Sequence, residues 1–290
     1  VPPTPLSRRA AALPALLVLA LAWVQPARGQ DDTQEERRLP FLAEEARKRG
    51  IELPRPFGIG VVYYHLDRAI EVTDVRIGRE GAPPTSVSQF AQLSSDSRVD
   101  NANLKVDVWL LPFLNVYAIA GYIWNESTTV IDVTLPPLLP NGTPRQRRME
   151  VPTELTGTVG GLGITLAGGY GPFFFAADVN GARADLGFDD RFKAVVTSLR
   201  AGWFGEVRSR PLRIWLNGTD WDTFAEATGT VSDPDDGTTL TFEVDQGPAH
   251  RRTFGMGASY SPKPAVELAL DSGTDFHGGW YVALVPVFRF

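Results

Sequence analysis

Cysteine is absent from all 290 residues, which excludes disulfides, thiolate nucleophiles and thiolate metal sites. Histidine is scarce. His65, His250 and His277 stand far apart in the chain, so a zinc or haem centre finds few ligands, and no cofactor is expected. Basic charge is short as well: 28 Lys+Arg against 34 Asp+Glu give a formal −6. A nucleic-acid partner wants a basic footprint, so that role is not expected. Beyond Gln30 no apolar run reaches the ~18 residues of a spanning helix. If the chain crosses a membrane, it does so as a closed barrel, the other fold that satisfies every backbone group in lipid.

The first thirty residues carry Arg8 and Arg9, then fifteen apolar or small residues from Ala10 to Val24, then Ala27-Arg28-Gly29 before Gln30. A basic region, a short apolar region and small residues at −3 and −1 are the layout of a secretory signal peptide over 1–29. Fifteen helical residues reach about 22 Å, short of the roughly 30 Å hydrocarbon layer. Removing this segment with its three arginines leaves a charge of −9. No cysteine follows the cut, so no lipid anchor is expected there. Residues 30–56 read as a separate piece, a periplasmic helical segment or plug. Glu36 to Arg49 is charged and helix-compatible, Phe41 and Leu42 are its expected apolar contacts, and Gly50 is a plausible C-cap.

From Phe57 onward a period of two dominates. Phe57, Ile59, Val61 and Tyr63 share one face; Leu104, Val106, Val108 and Leu110 oppose Lys105, Asp107 and Trp109. Phe173, Phe175, Ala177 and Val179 oppose Asp178 and Asn180, and Val195, Leu199 and Trp203 oppose Arg200. Leu212, Ile214 and Leu216 oppose Arg213 and Asn217; Val266, Leu268 and Leu270 oppose Glu267 and Asp271. The last strand sets Trp280, Val282, Leu284, Pro286, Phe288 and Phe290 against Tyr281, Ala283 and Arg289. The segments run about nine to fourteen residues, longer than the five or six of soluble strands and sufficient for the ~9–11 of a tilted spanning strand. The opposing face is small or charged, which suits a narrow wet interior.

Short connections at 110–115, 168–173, 206–211 and 261–264 alternate with hydrophilic ones at 79–102, 125–152, 185–190, 218–250 and 272–276. Four short turns between two termini on one side give ten strands. Residues 69–78 can prolong the first strand, and 129–135 and 239–245 read as further strands. If those belong to external hairpins the count stays at ten; if they pair through the membrane it rises to twelve or fourteen. Tyr63, Trp109, Tyr117, Trp124, Tyr170, Trp203, Trp215, Tyr260 and Trp280 fall near strand ends, as expected of an interfacial girdle.

With these strands and its ending, the chain resembles the outer-membrane β-barrel proteins of Gram-negative bacteria, over residues 57–290. Such proteins typically finish on an amphipathic strand with a terminal aromatic, and Phe290 with Phe288, Leu284, Val282 and Trp280 matches that ending. The resemblance implies an all-β antiparallel transmembrane barrel of about ten strands, alternatively twelve, in the cell outer membrane. It implies Phe288 and Phe290 as an assembly signal read by the barrel-assembly machinery, and lipid as the surrounding partner. A monomer is expected. Pro286 departs from the usual alternation, though proline is tolerable where a ladder bond is missing.

Function is expected to be a narrow pore or transporter for small solutes, or a structural barrel whose loops bind something, and not an enzyme. Lys105, Asp107, Asp178, Arg200, Arg213, Glu267, Asp271 and Arg289 are the expected lumen-lining charges. A lipid-modifying hydrolase is one alternative, since His277, Asp275 and Ser272 share one external loop and His65 follows the first strand. A secreted soluble β-sandwich is the other. The acidic SDPDDGT at 232–238 offers oxygen ligands for Ca²⁺ but lacks a periodic ligand set, and an acidic turn facing water explains it as well. The sequons at Asn125, Asn141 and Asn217 carry no meaning in a bacterial host.

Overall fold

The computed structural model describes residues 39–48, 53, 55–79, 83–86, 91–135, 145–186, 191–232 and 239–290. Among these residues one short helix, α1 (Ala43–Lys48), precedes twelve strands: β1 (Phe57–Arg79), β2 (Thr85–Ser86), β3 (Ala91–Leu111), β4 (Leu114–Leu135), β5 (Arg145–Tyr170), β6 (Phe173–Asp185), β7 (Arg191–Val207), β8 (Arg210–Ser232), β9 (Thr239–Pro248), β10 (Arg252–Lys263), β11 (Val266–Thr274) and β12 (Trp280–Arg289). All pairings are antiparallel, and all join chain neighbours except four: β1 with β3 (past the short β2), β1 with β12, β8 with β10, and β1 with β9.

Two of these, β1–β12 and β8–β10, close the molecule. Gly58–Asp67 of β1 meet Trp280–Arg289 of β12, and Leu212–Asp220 of β8 meet Arg252–Tyr260 of β10. The ring therefore runs through ten strands, leaving out β2 and β9. A closed ring is not a sandwich, and the soluble-sandwich alternative is set aside on that ground. β9 sits over the tops of β10, β11 and β12, pairing with Ile70–Arg79 of β1 and Ala225–Ser232 of β8.

The strand faces follow the period of two. Leu162, Leu199, Leu216 and Met256 are all more than 60% exposed and turn outward, with Leu104, Val106, Phe173, Phe175, Ile214, Phe254 and Leu270 on the same band. A closed barrel with this much apolar side chain turned outward is stable in lipid and not in water. The chain is an outer-membrane barrel. Among the described residues no helix is long and apolar enough to cross a membrane.

Short turns mark one end, where both termini of the barrel lie and which in such barrels is periplasmic. The β7–β8 turn places Arg208 and Ser209 at φ 52° and 57°, the left-handed pair that matches strand twist in a two-residue hairpin. Gly171 (φ 58°) serves the β5–β6 turn.

Strand length departs from expectation. β1, β3, β4, β5 and β8 are 21 to 26 residues long, so most of 79–102, 125–152 and 218–250 is strand rather than loop. Residues 129–135 are the upper end of β4 and 239–248 are β9, both external, and the spanning count stays at ten. Above the lipid the outer face meets water, so the apolar half of the alternation disappears and the stretch reads as loop. The segment at 232–238 falls largely outside the described residues.

Helix α1 is shorter than the Glu36–Arg49 span expected. Phe41 and Leu42 are 58% and 55% exposed, and Ala43 and Ala46 make the buried side instead. The Phe41 amide donates to the Leu110 carbonyl (2.8 Å), placing this piece beside the β3–β4 turn. The signal-peptide reading of 1–29 lies outside the described residues.

Candidate functional site: the barrel interior

Inside, three layers stack from the turn end upward. The lowest is ionic. Arg289 Nη1 donates to Asp107 Oδ1 (2.9 Å) and Nε to Glu267 Oε2 (3.4 Å); Arg213 Nη1 donates to Glu267 Oε1 (2.8 Å). Asn115 Nδ2 adds a bond to Asp107 Oδ1 (2.8 Å). Asp107 has only 2% of its surface exposed, so its charge needs these donors.

The second set begins one step higher. The Tyr117 hydroxyl and the Thr165 hydroxyl both donate to Asp178, at 2.8 and 2.5 Å. Lys105 Nζ stands 4.3 Å from the centre of the Tyr117 ring. Asp271 collects Trp215 Nε1 (3.0 Å), Asn217 Nδ2 (2.6 Å) and the Tyr281 hydroxyl (2.9 Å), with Arg200 Nη2 at 3.6 Å. Arg200 also lies over the Trp215 ring, 5.5 Å away.

All eight charged residues singled out from the sequence thus share the face opposite the exposed apolar band, and four cations balance four anions. The structure ties Asp107, Arg289, Glu267 and Arg213 into one chain and Arg200 with Asp271 into another; Asp178 bonds neutral donors. Small residues make this possible. A Cβ at Gly163 would sit 2.3 Å from Tyr117 Cζ, so only glycine lets that ring lean across β5 to Asp178. Trp109, Tyr117 and Trp215 were expected in the girdle and are inside instead, because they fall on the odd phase of their strands with Asp107, Asn115 and Asn217. Trp203, Trp280 and Tyr170 do face outward.

The third layer was not read from the sequence. Leu66, Val99, Ile123, Val159, Ala184, Trp221 and Tyr281 are all less than 10% exposed and form one apolar cluster, with Tyr64, Phe192 and Val196 packed on it. Trp221 lies edge-on to Tyr281 (centroids 5.4 Å) and tilted to Tyr64 (6.0 Å). These side chains come from β1, β3, β4, β5, β6, β8 and β12, with β7 packed on them, and meet in one cluster inside the ring. The signal was present: continuing the inner phase of β1 from Gly58 and Gly60 reaches Tyr64, Leu66 and Arg68.

The residues considered for a hydrolase do not form a relay. Ser272 Oγ turns to the Met256 carbonyl (3.4 Å), and the His277 imidazole meets the Asp275 backbone carbonyl (2.7 Å). The Asp275 carboxylate accepts the amides of His277 and Gly279 and so organises its own turn. His277 stacks on His250 at 3.8 Å. On the outer face His65 and Tyr63 both bond Asp100 (2.9 and 2.6 Å), and His65 lies 4.9 Å from the Trp280 ring at the upper rim of the apolar band.

No protein-family model matches the sequence, and no curated protein matches it. Solved structures that are similar include the Ralstonia pickettii toluene transporter TbuX, at 11% identity over 83% of this chain and 90% of that one, with a TM-score of 0.33. An outer membrane channel from Pseudomonas putida F1 is similar at 13% identity over 82% and 97%, with a TM-score of 0.34. The Acinetobacter baumannii outer membrane protein Omp33 is similar at 15% identity over 82% and 99%, with a TM-score of 0.26.

Proposed function

We propose that this barrel conducts small solutes across the outer membrane by a narrow path that is closed at rest, and that Lys105, Asp107, Asp178, Arg200, Arg213, Glu267, Asp271 and Arg289 line its lower part. The observation that supports this reading is the layering. A charge-balanced polar wall through the membrane is capped by a single apolar layer built on Leu66, Val99, Ile123 and Trp221. A polar wall hydrates, whereas a ring of apolar side chains repels water and ions until it parts. Residues 30–56 serve as a periplasmic piece at the turn end, the export signal is residues 1–29, and the protein acts as a monomer inserted by the barrel-assembly machinery through Phe288 and Phe290.

Planar-bilayer recording tests the conduction. The wild-type barrel is expected to be silent apart from rare, small openings. The double substitution Leu66→Ser with Ile123→Ser is expected to raise open time and conductance together. Silence in both proteins, with the barrel form verified by heat-modifiable migration, would favour the second reading: a plugged barrel whose function lies in its external strands. That reading draws on the extension of β1, β3, β4, β5 and β8 past the apolar layer.

A further inference from the structure

Immediately above the apolar layer, Arg68 stands on the inner face of β1 with 8% of its surface exposed. Its Nη2 donates to the Thr223 hydroxyl at 2.8 Å, while its buried Nε and Nη1 have no acceptor among the described residues. The lower charges are matched four against four; this one has no counterpart among the described residues. Carboxylates are plentiful on the strands around it, but Asp67, Asp96, Glu126, Asp222 and Asp245 all occupy the opposite, outward phase. Asp275 is taken up by its own turn. On the inner face Arg68 is opposed by Ser97, whose hydroxyl donates to Asn125, and the next inner positions are Ser95 and Ile70. A buried guanidinium surrounded by neutral groups is costly, and the cost disappears when an anion is placed against it.

We infer that Arg68 and Thr223 form a recognition site for a small monocarboxylate with an apolar body, held on the outer side of the apolar layer. The unpartnered Nε and Nη1 leave charged N–H donors that a carboxylate oxygen can accept. The floor decides the rest of the ligand. Leu66 lies two positions below Arg68 on β1, and Trp221 two below Thr223 on β8, with Tyr64 and Tyr281 joining them. An apolar body lying on that floor loses water at both surfaces, at roughly 25 cal/mol per Å² buried. A dianionic or fully hydrated anion gains nothing from it. The site is a binding site in its own right and does not depend on conduction.

Binding to the intact barrel in detergent micelles tests it, by calorimetry with hexanoate as probe and with hexanol and acetate as comparisons. Hexanoate is expected to bind the wild type at least tenfold more tightly than either comparison. Arg68→Met, which keeps much of the stem but removes the charge, is expected to weaken hexanoate at least tenfold and leave hexanol unchanged. If that variant fails to show the heat-modifiable barrel form, Thr223→Val and the wild-type comparison of the three probes remain. Equal binding of hexanoate and hexanol would remove the role of the cation; equal binding of hexanoate and acetate would remove the apolar floor. No hexanoate binding to the wild type, or undiminished binding to Arg68→Met, would overturn the inference outright.

Discussion

Arg289 on the last strand reaches past β1 to pair with Asp107 on β3, with Nη1 2.9 Å from Oδ1. The ion pair crosses over Gly58, where a Cβ would lie 2.4 Å from Asp107 Oδ2. The seam between the first and last strands is therefore locked from inside by a pair that only glycine beneath it permits.

That lock sets the first prediction. Asp107→Ala leaves Arg289 with the longer contact to Glu267 alone, and losing one member of a buried pair costs about 3–5 kcal/mol. The urea midpoint of the barrel in micelles is expected to fall accordingly. Asp107→Leu combined with Arg289→Met is expected to recover most of the loss, since an apolar replacement of both partners is close to neutral. Failure of the double substitution to recover would show that the polar layer acts as one network.

Pro286 sets the second. The β1–β12 ladder pairs Gly60 with Val287 and Tyr63 with Leu284 but skips Val61 and Val62, the positions opposite Pro286 and Val285. Proline has no N–H to donate there. Pro286 leaves the Val61 carbonyl without its donor, and the lost bond is expected to loosen this pair, so that the Val61 amide exchanges faster than those of Ile59 and Tyr63 by about tenfold or more. Pro286→Val is expected to slow it toward its neighbours. An unchanged pattern would place the gap elsewhere than in the missing donor.

The chain end makes a third. Phe290 exchanges both backbone bonds with Phe57 (3.0 and 3.2 Å) and stacks on its ring, with centroids 5.9 Å apart. Removing Phe290 costs those bonds and a stack of roughly 0.5–1.5 kcal/mol, a modest loss for refolding in detergent. If the assembly machinery reads this residue, insertion in cells falls far more than refolding does. Heat-modifiable migration in both settings separates the two, and equal losses would reduce Phe290 to a seam contact.

A fourth concerns the external strands. Arg76 bonds Asp74 (2.8 Å), Glu243 (2.7 Å) and Asp245, joining β1 to β9. The hydrogen bonds to Asp74 and Asp245 raise its guanidinium above the ordinary arginine value. A raised value means that its contribution is complete at every pH below the ordinary value and is lost only as pH climbs through the raised one, in strong alkali. Across neutral pH the cluster is thus sensitive to salt rather than to pH. Arg76→Gln is expected to increase protease cleavage within 239–248 several-fold on intact cells, with high salt producing part of the same effect on the wild type. Cleavage that ignores both would show that the β1–β9 ladder alone holds this strand.

How much of this was legible differs from layer to layer. Within the membrane the two faces of each strand meet opposite environments, so Leu104 and Val106 against Lys105 and Asp107, or Leu268 and Leu270 against Glu267 and Asp271, declare both strand and side. Above the membrane that contrast is gone. The outer face turns polar, and Ser95, Ser97 and Asn125 keep part of the inner face polar too, so long strands passed for loops. Aromatic positions misled for a related reason: Trp215 turns its indole inside onto the Asp271 carboxylate, Trp109 turns inside with a buried N–H that meets no acceptor among the described residues, and closeness to a strand end does not tell inside from out.

The sequence by itself determined the all-β class and the phase of each strand within the lipid, because alternation every two residues is a local property that water and lipid enforce on one strand at a time; the choice of ten spanning strands over twelve or fourteen waited for the pairing. Closure belonged to the tertiary structure. Which strand meets β8 above and which below, how β9 covers three shorter strands, and that Leu66, Val99, Ile123 and Trp221 converge into one layer beneath Arg68 all depend on strands far apart in the chain. Such meetings are fixed by the stagger of the closed ring, which no single segment contains.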